Sequence, residues 1–386
     1  MNKYSVNFEI SDKKIDVNIA TINTASFSSV FARSIAQWDF EILQNLINEV
    51  KLFIKNKLPS KKNIIEYTLI LDDAMVQNEI LHNSYEVKVE HQVKVAHKDK
   101  LDKYLLSARN NPNYYVISQA PFMYETVFNG ESKKYAHFPL NKNANKIIFY
   151  HSMVLIDKKD TKYTAIVKTF SQNSIEFKRI LLSSTCQNVL QEKNTHSVLV
   201  ELNWDSIIIN GFFNSIPVWK QKYNLNFEAF FANIAKKYNH SITVAKHIVN
   251  AVVNNWNFHL KNANEDSKER TIFQALGNLM CKFVFKMITQ SYNDNYGQGQ
   301  YVDYIISGIQ PKYLEYLSKQ YTSLNVSAID LSMAQNTNLT PAQLGASVFA
   351  NGNKVINLAN TLTDIENLRP KNFLQKIFGF SKNYNA

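Results

Sequence analysis

From Phe227 to Gln290 the apolar residues fall at the spacing of a helix. Phe227, Phe230, Phe231, Ile234 and Tyr238 form one stripe. Ala245, Ile248, Val249, Val252, Val253 and Trp256 form a second, and Ile272, Phe273, Leu276, Leu279, Met280, Phe283 and Met287 a third. Steps of three and four residues put side chains on one face of an α-helix, and that face must bury against another element. Ser241 stands where it can cap the second helix. Asp266, with Glu269 three residues on, has capping-box spacing for the third. Later, Pro311 suits a first turn, and Thr340-Pro341-Ala342-Gln343 combines a cap residue, a first-turn proline and a glutamine at the third position. Ala342, Gly345, Ala346 and Ala350 give that helix a small-residue face that something can approach closely. The expectation for 226–368 is an all-α helical bundle.

What precedes it reads as strands. Tyr4, Val6, Phe8 and Ile10 alternate with polar residues, a Ser11–Lys14 turn follows, and Ile15, Val17 and Ile19 alternate again, as in a hairpin. A helix is expected from Asp39 to Lys57 and a buried strand from 63 to 71. Tyr85 to His97 alternates throughout and predicts one long strand, with Lys88, Lys94 and Lys98 on its wet face. Lys146–Asp157 and Lys162–Phe170 read as a second hairpin, followed by strands near 174–182 and 197–204. Residues 1–205 are therefore expected to form a β-rich, largely antiparallel α+β domain. Residues 206–225 read as a connection, and 369–386 as a short amphipathic C-terminal helix or tail.

Composition bounds the function. The 386 residues are 45% hydrophobic, with 24 Phe and 20 Tyr, enough for a sizeable core. Nine glycines weigh against a glycine-rich phosphate loop. Two cysteines make no disulfide framework and fit a reducing compartment. The N-terminal stretch lacks the apolar core of a signal peptide, and no run reaches the ~18 apolar residues of a membrane span. The expected location is cytoplasmic, with signal-independent export left open. A net charge of +11 permits nucleic acid, an acidic membrane surface or an acidic partner, but the basic residues are scattered.

The search for chemistry is mostly negative. The nine histidines lack chelating spacing, and there is no C-x-x-C, H-E-x-x-H, G-x-S-x-G or phosphate-loop signature. Cys186 lies in a polar stretch and reads as a surface thiol, whereas Cys281 reads as core. The expectation is a chain that is not an enzyme and holds no cofactor or metal. Candidate binding residues are basic and aromatic neighbours. They are Lys88, Lys94 and Lys98, then Trp219, Lys220, Lys222 and Tyr223, and Phe373, Ile377 and Phe378 on the apolar face of the tail.

Together these features suggest a structural or adaptor component of a larger assembly, such as a bacterial secretion system or a phage-tail-like baseplate. Its partners would be other protein subunits. The alternatives are a protein that binds RNA or single-stranded nucleic acid, and an exported effector of an intracellular bacterium.

Overall fold

The computed structural model describes residues 2–351 apart from 23–26, 59–62, 77, 109–110, 191–195, 263, 265, 297–301, 310, 322–325 and 330–337. The fold is mixed α/β, with three β-sheets interleaved with helices. Two compact units divide the described residues: unit 1 takes those of 1–190, 214–218 and 331–386, and unit 2 those of 191–213 and 219–330.

Unit 1 begins with β1 (Lys3–Ile10), β2 (Lys14–Ile22), β3 (Phe27–Ala36), α1 (Phe40–Lys57) and β4 (Ile64–Leu71). An inserted segment follows: β5 (Asn78–Lys88), α2 (Val95–Ala108), β6 (Tyr114–Phe128), β7 (Glu131–Tyr135) and β8 (Lys146–Asp157). Then come α3 (Thr161–Gln172), β9 (Arg179–Leu182) and α4 (Ser183–Asn188). A last helix, Pro341–Asn351, here α11, returns to this unit. The main sheet runs β3-β2-β1-β4-β9; β1 pairs antiparallel with β2 and parallel with β4, and β4 pairs parallel with β9. The insertion makes a separate antiparallel sheet, β5-β8-β6-β7.

The expected β1–β2 hairpin forms, but its polar face is not wet. Ser5, Asn7 and Asn18 are fully buried, and Asn7 Nδ2 donates to Ser347 Oγ of α11 at 3.1 Å. On the other face Val6, Phe8 and Ile10 pack with Leu43, Leu46, Ile47 and Val50 of α1. Burying each of those four side chains is worth about 1.5–3 kcal/mol. Asp39 does cap α1, accepting from the Ile42 N–H at 2.8 Å, but a cap contributes only about 1 kcal/mol. Packing holds this helix.

Unit 2 contains β10 (His196–Leu202), β11 (Ser206–Phe213), β12 (Ile216–Asn224) from Trp219 on, α5 (Glu228–Tyr238), α6 (Ile242–Asn254), α7 (Trp256–Asn262), α8 (Lys268–Leu279), α9 (Phe285–Tyr296), β13 (Asp303–Gly308), α10 (Pro311–Tyr321) and β14 (Val326–Ala328). Its sheet runs β12-β11-β10-β13-β14, with β10 antiparallel to β11, parallel to β13, and β13 parallel to β14. The order and sense of pairing repeat those of unit 1, so the chain builds one architecture twice.

This overturns the expected division into a β-rich N-terminal domain and an all-α C-terminal bundle. The helices are crossovers of a second sheet. Ile207-Ile208-Ile209 and Tyr304-Ile305-Ile306 are buried on both faces, so they carry no alternation for a sequence reading to find. The 206–225 connection is β11 and β12. Trp219 of β12 lies flat on Gly211 of β11, where a Cβ would fall 2.0 Å from the indole.

Smaller corrections have local causes. The expected strand from Tyr85 to His97 stops at Lys88, and α2 begins at Val95. There His97 Nδ1 accepts from the Lys94 N–H at 2.8 Å, a helix-start contact that strand alternation conceals. The expected strand from Lys162 to Phe170 is α3. Asp160 caps it, and Tyr163, Ile166 and Phe170 sit on one buried face. The third stripe shifts at a π-helical turn, Met280–Val284, which adds a residue to the helix. Val284 and Ile288 are buried instead of the expected Phe283 and Met287, and Phe283 is 59% exposed. Ser267, not Asp266, caps α8.

Candidate functional site

Two places in unit 1 carry more than packing. The first lies at the carboxyl ends of the parallel strands β1, β4 and β9. Glu9 stands at the end of β1, and Thr340 Oγ1 donates to its carboxylate. Burial pushes the Glu9 carboxyl up to about 7, and the carboxylates of Asp16 and Asp72 add to the push, against the Thr340 hydrogen bond and Lys14. Just after β4, Asp73 accepts from the Ser184 N–H at 2.9 Å and from Ser184 Oγ at 2.7 Å. The protein's own groups thus fill the starts of α4 and α11. Glu9 can exchange a proton near neutrality. Cys186 is not the surface thiol expected: it is wholly buried, and burial, with Glu9 and Asp73 nearby, raises its thiol well above the usual range. It is inert as a nucleophile.

The second place is the free edge of the inserted sheet. β5 pairs with β8 in one unbroken register from Asn78↔Ile156 to Lys88↔Lys146. Among the described residues β5 is the first strand in its sheet order, so its other side is an edge. Leu81, His82, Asn83 and Ser84 are four successive exposed residues, and Leu81 is 42% exposed. Tyr85 stacks on Tyr104 of α2 at 4.1 Å, which fixes the strand from one face. Lys146 of β8 bonds Glu86 Oε2 at 2.8 Å. Edges of this length are normally blunted by a bulge, a proline or a short run. The long edge of the main sheet, β3, has such a defence: its pairing with β2 shifts between Ile19 and Ala20, leaving Val30 as a bulge. β7, β9 and β14 are short, at 5, 4 and 3 residues. β5 has 11 residues and neither bulge nor proline.

The expected binding residues are placed as follows. Lys88 ends β5, Lys94 lies in the next connection, and Lys98 is in α2, paired with Asp102 at 3.7 Å. They do not share a strand face. Trp219 is buried, and the Tyr223 hydroxyl bonds Gln221 and Ser291. With the indole buried, 219–223 offers no platform for stacking bases, and the nucleic-acid expectation finds no support there. Lys220 is half-buried and Lys222 exposed. Phe373, Ile377 and Phe378 lie outside the described residues. The sequence reading missed Glu9 and the β5 edge. A carboxylate inside an alternating strand looks like any wet-face residue, and an edge is a property of pairing.

Among the described residues no group of three or more His, Cys, Asp or Glu is placed to hold a metal, and no helix is long and apolar enough to cross a membrane.

No family model and no curated protein matches the chain. Solved structures do. A PilM–PilN type IV pilus biogenesis complex matches with a TM-score of 0.45 at 7% identity, over 91% of this chain and 98% of that one. The cytoplasmic domain of EpsL, an inner-membrane component of the type II secretion system of Vibrio cholerae, matches with a TM-score of 0.27 at 9% identity, over 62% and 78%. The Aquifex aeolicus PPX-GPPA enzyme matches with a TM-score of 0.29 at 6% identity, over 79% and 67%. The expectation that the chain is not an enzyme is withdrawn: it rested on sequence motifs alone, and the buried Glu9 carboxyl that titrates near neutrality lies outside any of them. A motif search could not see its bond to Thr340, 331 residues away.

Proposed function

We propose that the chain is a component of a larger protein assembly, such as a bacterial secretion system, and that it engages a protein partner through the inserted sheet of unit 1. The observation that carries this reading is the undefended β5 edge. The two five-stranded sheets repeat each other without the insertion, which only unit 1 contains. The architecture does not need it, and it presents a strand open to β-addition, in which backbone hydrogen bonds supply affinity and alternate side chains supply selectivity. The tail bearing Phe373, Ile377 and Phe378 is proposed as a second contact.

The test is capture of partners by the tagged full-length chain, identified by mass spectrometry. Leu81→Lys, on an exposed edge position, is expected to remove the captured partner without moving the thermal midpoint. Deletion of 371–386 is expected to weaken capture. A partner set unchanged by both alterations would refute the proposal.

A further inference from the structure

The β5 edge is nearly self-complementary, and the geometry points to a second copy of this chain as the partner that pairs with it. This rests on the reading of β5 as a docking edge. When two copies of one edge strand pair antiparallel about a two-fold axis, outward-pointing backbone groups must face outward-pointing groups. The axis therefore passes through a residue, not between two. Centred on Ser84, residue pairs on the α2 face are Leu81 with Val87 and Asn83 with Tyr85. On the other face they are His82 with Glu86 and Ile80 with Lys88. Leu81 meets an apolar residue and His82 meets a carboxylate, each twice, once in each direction, while Ile80 lies against the aliphatic stem of Lys88. Paired side chains of this kind contribute about 0.2–1 kcal/mol each.

Neighbouring registers are worse. Centring on Asn83 opposes Ile80 to Glu86 and Glu79 to Val87. Centring on His82 opposes His82 to itself. Of these three registers only the one centred on Ser84 sets His82 against a carboxylate while keeping the exposed Leu81 against an apolar residue. The groups facing the edge are consistent with it. Lys146 holds Glu86 in place, His82 Nδ1 lies 3.3 Å from the Val218 carbonyl oxygen, and Tyr85 is fixed by Tyr104. An isologous pair of this type would join two four-stranded sheets into one of eight strands.

Sedimentation velocity on the full chain over a range of concentrations is expected to show a monomer–dimer equilibrium. Ser84→Cys brings position 84 against itself on the axis, at the Cα separation of about 4.5–5.5 Å that suits a disulfide. It is expected to give a covalent dimer under mild oxidation, whereas Asn83→Cys, which meets Tyr85, stays uncross-linked. Both cysteine variants are made in a Cys281→Ser background, and native Cys186 is buried and does not interfere. H82E opposes two carboxylates to two carboxylates and is expected to weaken the dimer about tenfold or more. The double variant H82E/E86K sets opposite charges against each other and should recover it. A chain that stays monomeric at every concentration, with no Ser84→Cys cross-link, overturns the self-pairing. If Leu81→Lys still removes a captured partner in that case, the docking edge stands and only the second copy falls. If it does not, both readings fall.

Discussion

Glu9 and His151 pull the pH dependence of unit 1 in opposite directions. Glu9 titrates at about 7 when folded, against 4.5 for an ordinary glutamate. The folded state therefore holds more protons, and the stability tied to Glu9 is complete below about 4.5 and lost as the pH rises through 7. His151 is fully buried on β8, edge-on to Tyr104, with neither ring nitrogen hydrogen-bonded among the described residues. Burial lowers its pKa to about 4 from 6.5, so the unfolded state holds more protons and stability is lost as the pH falls from 6.5 to 4. Each shift corresponds to about 3 kcal/mol. Between pH 4.5 and 6.5 the two slopes oppose. The urea midpoint of the native chain is expected to change little there. Glu9→Gln, which keeps an acceptor for Thr340, should leave a midpoint that drops in acid, and His151→Leu one that drops as the pH rises. A Glu9→Gln midpoint with the native pH profile would show that Glu9 does not carry this proton. Neither residue advertises this in the sequence, because burial of both ends of β1 and of the middle of β8 is decided by α11 and α2.

At the scale of the element, α11 shows what sequence can specify. Its capping box was legible and forms: the Gln343 N–H donates to Thr340 Oγ1 at 3.1 Å, and the Thr340 N–H donates back to Gln343 Oε1 at 3.3 Å. The small-residue face was legible as a close approach, but not against what. Gly345 lies on the backbone of α4, where a Cβ would fall 1.9 Å from the Cys186 carbonyl oxygen. Gly345→Ala is therefore expected to push α11 off α4 and to destabilise unit 1 by about 1–3 kcal/mol, read from its denaturation midpoint. Thr340→Ala removes the cap and the donor to Glu9. A loss of about 1–2 kcal/mol is expected, larger above pH 7, where the carboxylate left without its donor is ionised. An equal loss at low and high pH would separate the cap from the Glu9 bond.

At the scale of the whole molecule, unit 1 is discontinuous in sequence, and α11 closes it from residues beyond unit 2. α11 covers Ile70, Leu181 and Cys186 with Ala342 and Ala346, and Ala20 with Leu344. Ending the chain after residue 338 uncovers that surface. Cys186, inert in the full chain, is then expected to react with a thiol reagent in a Cys281→Ser background. A truncated chain whose Cys186 stays unreactive would show that unit 1 closes without its returning helix.

The sequence by itself determined the elements whose signal is local. The β1–β2 hairpin, α1 with its Asp39 cap, the Ser241 and Thr340 helix starts and the strand at Ile64–Leu71 all follow from side-chain period and capping chemistry. Only the tertiary structure decided which strands share a sheet. The same β-strand order occurs in both units, yet Ile207–Ile209 and Tyr304–Ile306 show no period because both of their faces are covered. The Phe227–Gln290 stripes were real and were still misread as a bundle core. An amphipathic face records that a helix is covered, while the identity of the cover, here the neighbouring crossover helices and, for α9, β11 of a second five-stranded sheet, depends on contacts far apart in the chain.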